Sequence, residues 1–376
     1  MPRVVAQSLM GSMDAETKPL SKPSFREAVR FWARLGFINF GGPTAQIAIL
    51  YQEVVERRRW ISHDRFTNAL NYCMILPGPE ATQVVTFVGW LLHGTVGALV
   101  AGILYVLPAA IFLWALSWVY VAYGTVPWLA AIFYGLKAAV IGIVFAAVIR
   151  LGKNVLATPA LASIAAISFL AFYFLKVPFP LLIGGAALVG FLLGKVAPGM
   201  LRRDPGNSSA SEMTTPSNPV RHHPLRILTV GVLLWISPVL VAGSIFGWDS
   251  IFVRQGLFFG KTALITFGGA YAVLPYVGQH AVEDYGWLSA SQMMDGLGLA
   301  ETTPGPIVLV VQYVGFLGGW NHPPASLSPL AAGTISAAIT TWVTFVPSYL
   351  FILILSLIHI SEPTRLRRIS YAVFCL

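Results

Sequence analysis

Charge is scarce in this chain. Of its 376 residues only 10% are Asp, Glu, Lys or Arg, 56% are hydrophobic, and the mean hydropathy is +0.72. A soluble globular chain carries about 25% charged residues, so that class is excluded. Cysteine is almost missing as well: Cys73 and Cys375 are the two present, too few for a disulfide framework or a cysteine metal cluster. HExxH, a Walker loop, GxSxG and any His/Cys ligand set are also missing. No cofactor and no metal site is expected, and catalysis is not expected either. The start, "MPRVVAQSLMGSMDAETKPLSKPS", is polar and basic and lacks the apolar stretch of a cleavable signal peptide.

Long apolar runs are abundant. Gly97 to Tyr123, Val126 to Ile149, Leu156 to Leu175, Leu181 to Val196, Ile227 to Phe246 and Leu330 to Leu353 each approach bilayer-crossing length, for which a helix needs about 20 residues. The 35 glycines and 25 prolines suit transmembrane helices, which tolerate both. The expected fold class is an all-α polytopic membrane protein. Its partner is then the lipid bilayer, with no nucleic acid.

The last residues, "LSLIHISEPTRLRRISYAVFCL" from Leu355, form a separate case. Leu355 to Arg365 and Ile369 to Leu376 back-translate into strings that resemble the standard adapter of a transposase-made sequencing library. Residues 355–376 are therefore expected to be adapter read-through rather than a basic tail. Leaving them out lowers the net charge from +9 to +7 and removes Cys375.

The chain repeats itself. "FINFGGPTAQ" (37–46) and "LITFGGAYAV" (264–273) share a Phe-Gly-Gly element at matched positions. Without gaps, residues 31–79 align with 258–306, and 15 of the 49 positions are identical. Phe31 matches Phe258, Trp60 matches Trp287, Ser62 matches Ser289, and Pro77-Gly78-Pro79 matches Pro304-Gly305-Pro306. After a one-residue gap "TFVGW" at Thr86 echoes "QYVGF" at Gln312, and Leu107-Pro108 echoes Val346-Pro347. The expected organisation is a polar tail at 1–24, a first repeat at 25–198, a flexible Ser/Pro/Asn-rich linker at 199–224 and an incomplete second repeat at 225–354. The loop "QEVVERRRWISHDR" holds four arginines, whereas its match "QHAVEDYGWLSASQ" holds none. Lys and Arg mark cytoplasmic loops, so the halves are expected in opposite orientations, with the span from Ile227 to Phe246 flipping the second. Inverted repeats with broken helices near the midplane are a common plan for secondary transporters.

Glycine pairs and prolines inside apolar runs weaken or stop a helix. The FGG and PGP elements are read as broken or re-entrant helices whose starts favour an anion; the alternative is close packing and simple kinks. Candidate anion-binding residues in the first half are Arg34, Asn39, Gly41, Gly42, Pro43, Thr44, Gln46, Pro77, Gly78, Pro79 and Gln83, with Thr82 beside them. In the second half they are Lys261, Thr266, Gly268, Gly269, Tyr271, Thr302, Thr303, Pro304, Gly305 and Pro306, with Gln312 beside them. Arg34 and Lys261 occupy matched positions and either supply charge or snorkel to the interface. Lys137, in "YGLKAAV", either pairs with an anion or an acid or lines a wet cavity. Glu80 and Glu301 adjoin the breaks and are candidate proton carriers, or else helix caps. His93 is expected at a span end.

These motifs resemble the chromate ion transporter family in its long, two-domain form. "FINFGGPTAQIAIL", "RRRWIS", "LNYCMILPGPEATQVVTFVGWLLHG", "YVLPA", "ITFGGAYAVLPYV" and "GLAETTPGPIVLVVQYVGF" carry the resemblance, in order, across nearly all of residues 25–354. The family's usual form has Gln where this chain has Thr82. The resemblance implies a multi-pass protein of the bacterial inner membrane that exports chromate, gives resistance, and is coupled to the membrane potential or proton gradient. A transporter of sulfate or a related tetrahedral oxyanion is one alternative, and an intramembrane oxyanion-processing enzyme is another. A homodimer is compatible with all of these. The adapter reading has its own test: re-amplifying the gene from source DNA is expected to show no "SEPTRL" codons at this place, and finding them in the genomic copy contradicts it.

Overall fold

The computed structural model describes residues 20–124, 126–156, 158–175, 177, 179–196, 224–267 and 270–361. Gly268 and Gly269, nearly all of the linker and everything beyond Ser361 lie outside the described residues. Among the described residues there are helices and turns but no strand. In the first half, α1 (Phe25–Ile38) and α2 (Gly42–Tyr51) flank the first FGG element, and a π-helical turn (Gln52–Arg57) leads to α3 (His63–Cys73). There follow α4 (Glu80–Tyr123), α5 (Pro127–Val155), α6 (Pro159–Leu175) and α7 (Phe179–Val196). The intervening α8 (Pro224–Phe246) precedes α9 (Ile251–Ile265) and α10 (Ala270–Gln279). A second π-helical turn (His280–Asp284) leads to α11 (Ala290–Thr302). A 3-10 turn (Ile307–Leu309) opens α12 (Val310–Asn321), and α13 (Pro329–Ser361) is last.

Matched residues build matched local structure. Ser62 caps α3 by accepting from the Arg65 N–H at 3.4 Å, and Ser289 caps α11 by accepting from the Gln292 N–H at 3.2 Å. After the two π-turns the Trp60 N–H bonds to Val54 O and the Trp287 N–H to Ala281 O, both at 2.8 Å. The same aromatic cage follows in each half. Phe31 and Trp60 hold the guanidinium of Arg58, at 4.9 and 5.1 Å from their ring centres. In the second half Phe258 and Trp287 hold the ring of Tyr285, which stacks on Trp287 at 4.5 Å. The pair inside each turn changes sign: Glu53 with Arg57 in the first, His280 with Asp284 in the second.

The 44 residues of α4 are two helices. His93 (φ −138°, ψ 23°) and Gly94 (φ 62°, ψ −151°) leave helical geometry, and a ψ of that kind at positive φ is open to glycine alone. The two arms fold against each other: a Cβ on Gly102 would stand 2.7 Å from Thr86 Oγ1, and one on Gly89 would stand 2.6 Å from the Ala101 Cβ. Small residues let the backbones approach this closely. His93 sits at the turn with Nε2 3.1 Å from the Pro23 carbonyl. In the second half α12 and α13 form the equivalent hairpin, with Gly315 against Thr340. The two hairpins interlock at the centre. Trp114 Nε1 donates to Thr334 Oγ1 at 3.0 Å, Gln312 Nε2 to Ala110 O at 2.7 Å, and Tyr349 Oη to Gly102 O at 3.2 Å.

Among the described residues four helices are long and apolar enough to cross a membrane: α4, α5, α8 and α13. The apolar stretches expected from sequence at 156–175 and 181–196 fall on α6 and α7. On the periphery Tyr134, Phe145, Phe169, Phe174 and Leu175 are exposed, as a lipid-facing surface requires. α8 closes the other flank on α13, where Trp235 Nε1 donates to Val343 O at 2.8 Å.

Candidate functional site

The site grows out of the ends of α1 and α9. Each helix stops where the FGG element begins, and the last carbonyls of a helix lack intrahelical partners. Asn39 takes φ −93°, ψ 80° and Thr266 takes φ −81°, ψ 83°. The Phe40 N–H bonds back to Ile38 O at 3.2 Å, and the Phe267 N–H to Ile265 O at 3.1 Å. Both are inverse γ-turns. Each turn presents a carbonyl, of Asn39 or Thr266, that the helix itself does not serve.

The other half serves it. The Gly305 N–H donates to Asn39 O, and the Gly78 N–H donates to Thr266 O, both at 2.7 Å. The PGP loop of each half therefore closes the broken helix of the other. Glycine is required at both places: φ is 125° at Gly78 and 111° at Gly305, which L-residues with a Cβ rarely adopt. Space demands it too, because a Cβ on Gly305 would run into the Ala109 methyl and one on Gly78 into Ser348 Oγ. Ala109 and Ser348 directly follow the matched prolines Pro108 and Pro347. The prolines flanking each glycine hold the loop extended, with Pro79 and Pro306 both at φ near −70° at the next helix start.

Around this frame the halves diverge. In the first, Gln46 is buried, donates through Nε2 to Gly305 O at 2.6 Å, and accepts from Tyr105 Oη at 2.9 Å. Val273 stands at the matched place in the second half. In the other crossing Gln83 Nε2 donates to Pro77 O at 2.7 Å. Gly42 opens α2 against Ile307 and the hydroxyl of Tyr271, and that hydroxyl donates to Glu301 Oε1 at 2.7 Å. The starts of α2, α10 and the 3-10 turn thus meet beside the acid that ends α11.

Several buried polar atoms in this region make no hydrogen bond of good geometry among the described residues: both amide atoms of Asn39, whose neighbour is the Tyr105 hydroxyl, Thr82 Oγ1, Gln83 Oε1, Gln312 Oε1 and Ser348 Oγ. Asn39 is fully buried. A buried donor left without a partner costs about 1–3 kcal/mol, which water or a ligand removes.

Other expected residues stand elsewhere. Arg34 and Lys261 are exposed on α1 and α9, and among the described residues neither is ion-paired. The hydroxyls of Thr266, Thr302 and Thr303 donate to carbonyls of their own helices. Pro43 occupies the first turn of α2, where a missing N–H costs nothing. Gly41 and Thr44 are exposed, Pro77, Glu80 and Pro304 are half-buried, and Pro79 and Pro306 are buried. Lys137 is paired with an acid, Asp295, at 3.2 Å, and donates to Ser291 Oγ at 2.6 Å. Tyr105, Ser348 and Asp295 were not among the residues expected from sequence. Tyr105 and Ser348 flank the matched prolines, and Asp295 interrupts the apolar run "QMMDGLGLA"; those are the signals that mark them. Among the described residues no cluster of His, Cys, Asp or Glu could hold a metal.

This geometry defines the class: an all-helical, polytopic membrane protein built from two repeats that close each other's helix breaks. The chromate transporter family model matches residues 26–191 and 253–373, and the chain belongs to that family. The second match extends to residue 373, into the segment 355–376 that was expected from sequence to be adapter read-through. The chain is 33% identical to a chromate transport protein of Pseudomonas aeruginosa over 349 residues, covering 91% of this chain and 75% of that protein. It is 30% identical to a chromate transport protein of Cupriavidus metallidurans over 331 residues, covering 87% of this chain and 73% of that one. A probable chromate transport protein of Synechococcus elongatus is 28% identical over 331 residues, covering 88% of this chain and 75% of that protein. No solved structure matches the chain.

Gly305→Ala is expected to lower the thermal unfolding midpoint in detergent, because strain of this kind costs on the order of 1–3 kcal/mol. Gly135→Ala, where a Cβ meets nothing within 4 Å, is expected to leave it in place. Equal midpoints for the two variants contradict the crossed frame.

Proposed function

We propose that the chain is a secondary transporter that exports chromate across the bacterial inner membrane and so confers chromate resistance. Membership of the family, and relatives named chromate transport proteins, support the substrate class. The observation that carries the reading is the crossed pair of helix breaks with the fully buried amide of Asn39 beside it, near the Tyr105 hydroxyl but without a hydrogen bond of good geometry among the described residues. A dianion entering an apolar interior faces a prohibitive desolvation cost unless donors replace its water. Asn39 Nδ2, Thr82 Oγ1 and the helix starts after Gly42 and Pro79 are donors of the neutral kind, which bind a dianion and also release it.

The charge contrast supports an inverted arrangement of the halves. Arg57, Arg58 and Arg59 would face the cytoplasm, and Glu283 to Tyr285 the periplasm. Element lengths support broken or re-entrant helices. α12 has 12 residues and α3 has 11; at 1.5 Å per residue such helices reach roughly 18 Å, against about 30 Å of hydrocarbon. Glu301, held by Tyr271 beside Gly42, and Glu80 at the start of α4 are the acids nearest the breaks, and they are the proposed proton carriers of an antiporter. Arg34 and Lys261 then attract the anion from the rim. Sulfate has the shape and charge of chromate and is the competing substrate.

The test is flux of labelled chromate in proteoliposomes containing the full chain, with sulfate as competitor. Saturable chromate flux is expected, with sulfate a weak inhibitor. Asn39→Leu is expected to reduce it at least about tenfold, the equivalent of one lost contact of about 1.4 kcal/mol. Flux no greater than in empty vesicles, or an unchanged rate in Asn39→Leu, overturns the proposal; sulfate flux with chromate inert replaces the substrate.

A further inference from the structure

The two repeats place different groups where the chain turns helical again after its PGP loop. α4 opens with Glu80-Ala81-Thr82-Gln83, whereas Ile307 to Val311, the stretch after Pro306, is wholly apolar. The residue pressed on each loop differs in the same sense. It is Ala109 at Gly305 and Ser348 at Gly78. Thr82 and Ser348 are both buried, and neither hydroxyl makes a hydrogen bond of good geometry among the described residues. Thr82 stands in the first turn of α4, where no helical carbonyl lies four residues back. Ser348 stands well inside α13, where Thr340 and Thr344 donate to carbonyls of their own helix at 3.1 and 2.7 Å. Ser348 does not do so. Ser336 shares this lack, but it lies against Gly319, near the far end of α12.

A buried hydroxyl without a partner costs stability, and the crossed frame does not require one. Ala109 fills the matched place on the other loop with a methyl group. The hydroxyl at 348 is therefore an addition to the frame, and its position is fixed from two sides. Pro347 has no N–H, which leaves Val343 O without its helical donor, and Trp235 Nε1 of α8 serves that carbonyl at 2.8 Å. The exchange is reciprocal: Pro238 of α8 leaves Leu234 O free, and Trp342 Nε1 of α13 serves it at 2.9 Å. On the other side of Ser348, Tyr349 donates to Gly102 O at 3.2 Å. Gly102 lies between the Tyr349 ring and Thr86 Oγ1, one turn on from Thr82. Gln83 closes the loop from within α4, with Nε2 on Pro77 O at 2.7 Å. Its Oε1 is an acceptor, for which water and not an oxyanion is the partner.

We propose that Ser348 is a further oxyanion-binding residue: its hydroxyl and that of Thr82 donate to the ion at the start of α4, and the matched start at Ile307 takes no ligand. This rests on the oxyanion reading above and deepens it. The first N–H groups of a helix lack intrahelical partners, and the macrodipole there favours an anion. Two buried hydroxyls beside those groups add donors that no protein acceptor claims. At the other start the same backbone is walled by Ile307, Val308 and Leu309, which offer an ion nothing. Glu80 opens α4 as well, but residues two apart do not share a face of a helix, so the acid and the Thr82 hydroxyl point to different sides. Thr82 belongs to the first repeat and Ser348 to the second, so an ion held by both contacts the two halves at once.

The experiment is equilibrium binding of radiolabelled chromate to the purified full chain in lipid nanodiscs, at one mildly alkaline pH where chromate is the dianion. The thermal unfolding midpoint of each variant without ligand is measured beside it. Ser348→Ala introduces the residue that the other loop already accepts. It is expected to weaken chromate binding about tenfold or more and to leave the midpoint level or raise it. Thr82→Val is expected to weaken binding to a similar degree. Ser336→Ala removes the comparable hydroxyl of α13 away from the breaks and is expected to leave affinity unchanged. Unchanged affinity in Ser348→Ala, with or without a lowered midpoint, overturns the proposal and marks the hydroxyl as a packing or water-binding group. If Ser348→Ala does not fold, Thr82→Val carries the test, and unchanged affinity there overturns the site at the start of α4. An equal loss of affinity in Ser336→Ala overturns it too. In each of these cases chromate binding by the wild type leaves the oxyanion reading standing. No chromate binding by the wild type overturns both.

Discussion

Peptide groups at a helix break in an apolar interior must be paired, and in this protein each half pairs the other's. The N–H groups of Gly78 and Gly305 reach the carbonyls of Thr266 and Asn39 at the same 2.7 Å. Much else follows from that exchange. The glycines need left-handed backbone and space for no Cβ. Proline on either side holds the loop extended. Small residues, Ala109 and Ser348, must stand where the loop arrives. Neither half can close its own break, so the two repeats are one folding unit despite the linker between them.

On this frame the halves share backbone geometry and differ in chemistry. Gln46, which ties Gly305 to Tyr105, faces Val273 in the second half. Glu301, which accepts from Tyr271, faces Met74 in the first. Asp295 faces Asn68, and the Arg58 cage becomes the Tyr285 cage. Repetition supplies two breaks that meet, and divergence supplies a distinct set of donors and acids at each. A site with different chemistry on its two sides suits a transporter that must treat binding and release differently.

The repeat, the breaks and the long apolar spans were legible in the sequence because each has a strong local cause: matched Gly and Pro, serine caps, and unbroken hydrophobicity. That Gly78 and Gly305 cross to the opposite half was not legible, because register between distant segments leaves no local mark. The turn at Gly94 was legible in part, since the apolar span was read as starting at Gly97 with His93 at a span end; that the two arms fold against each other left no local mark. For Arg34 and Lys261 the sequence left two readings open, a charge at the break or a place at the interface, because nearness in sequence does not fix helical phase. Both are exposed. Lys137 and Asp295, 158 positions apart in the chain, meet only when α5 docks on α11. Gly268 and Gly269 lie outside the described residues, and what is seen of the second break is the γ-turn at Ile265, Thr266 and Phe267.

The central claim is that two repeats of opposite orientation close each other's breaks. The most direct measurement is labelling of single cysteines with an impermeant thiol reagent in intact cells, in a Cys73→Ser background without Cys375. One cysteine replaces Arg57 and the other Asp284, matched positions in the two π-turns. The account predicts labelling from outside at position 284 and protection at position 57 until the membrane is opened. Equal labelling of the two positions from outside would contradict it.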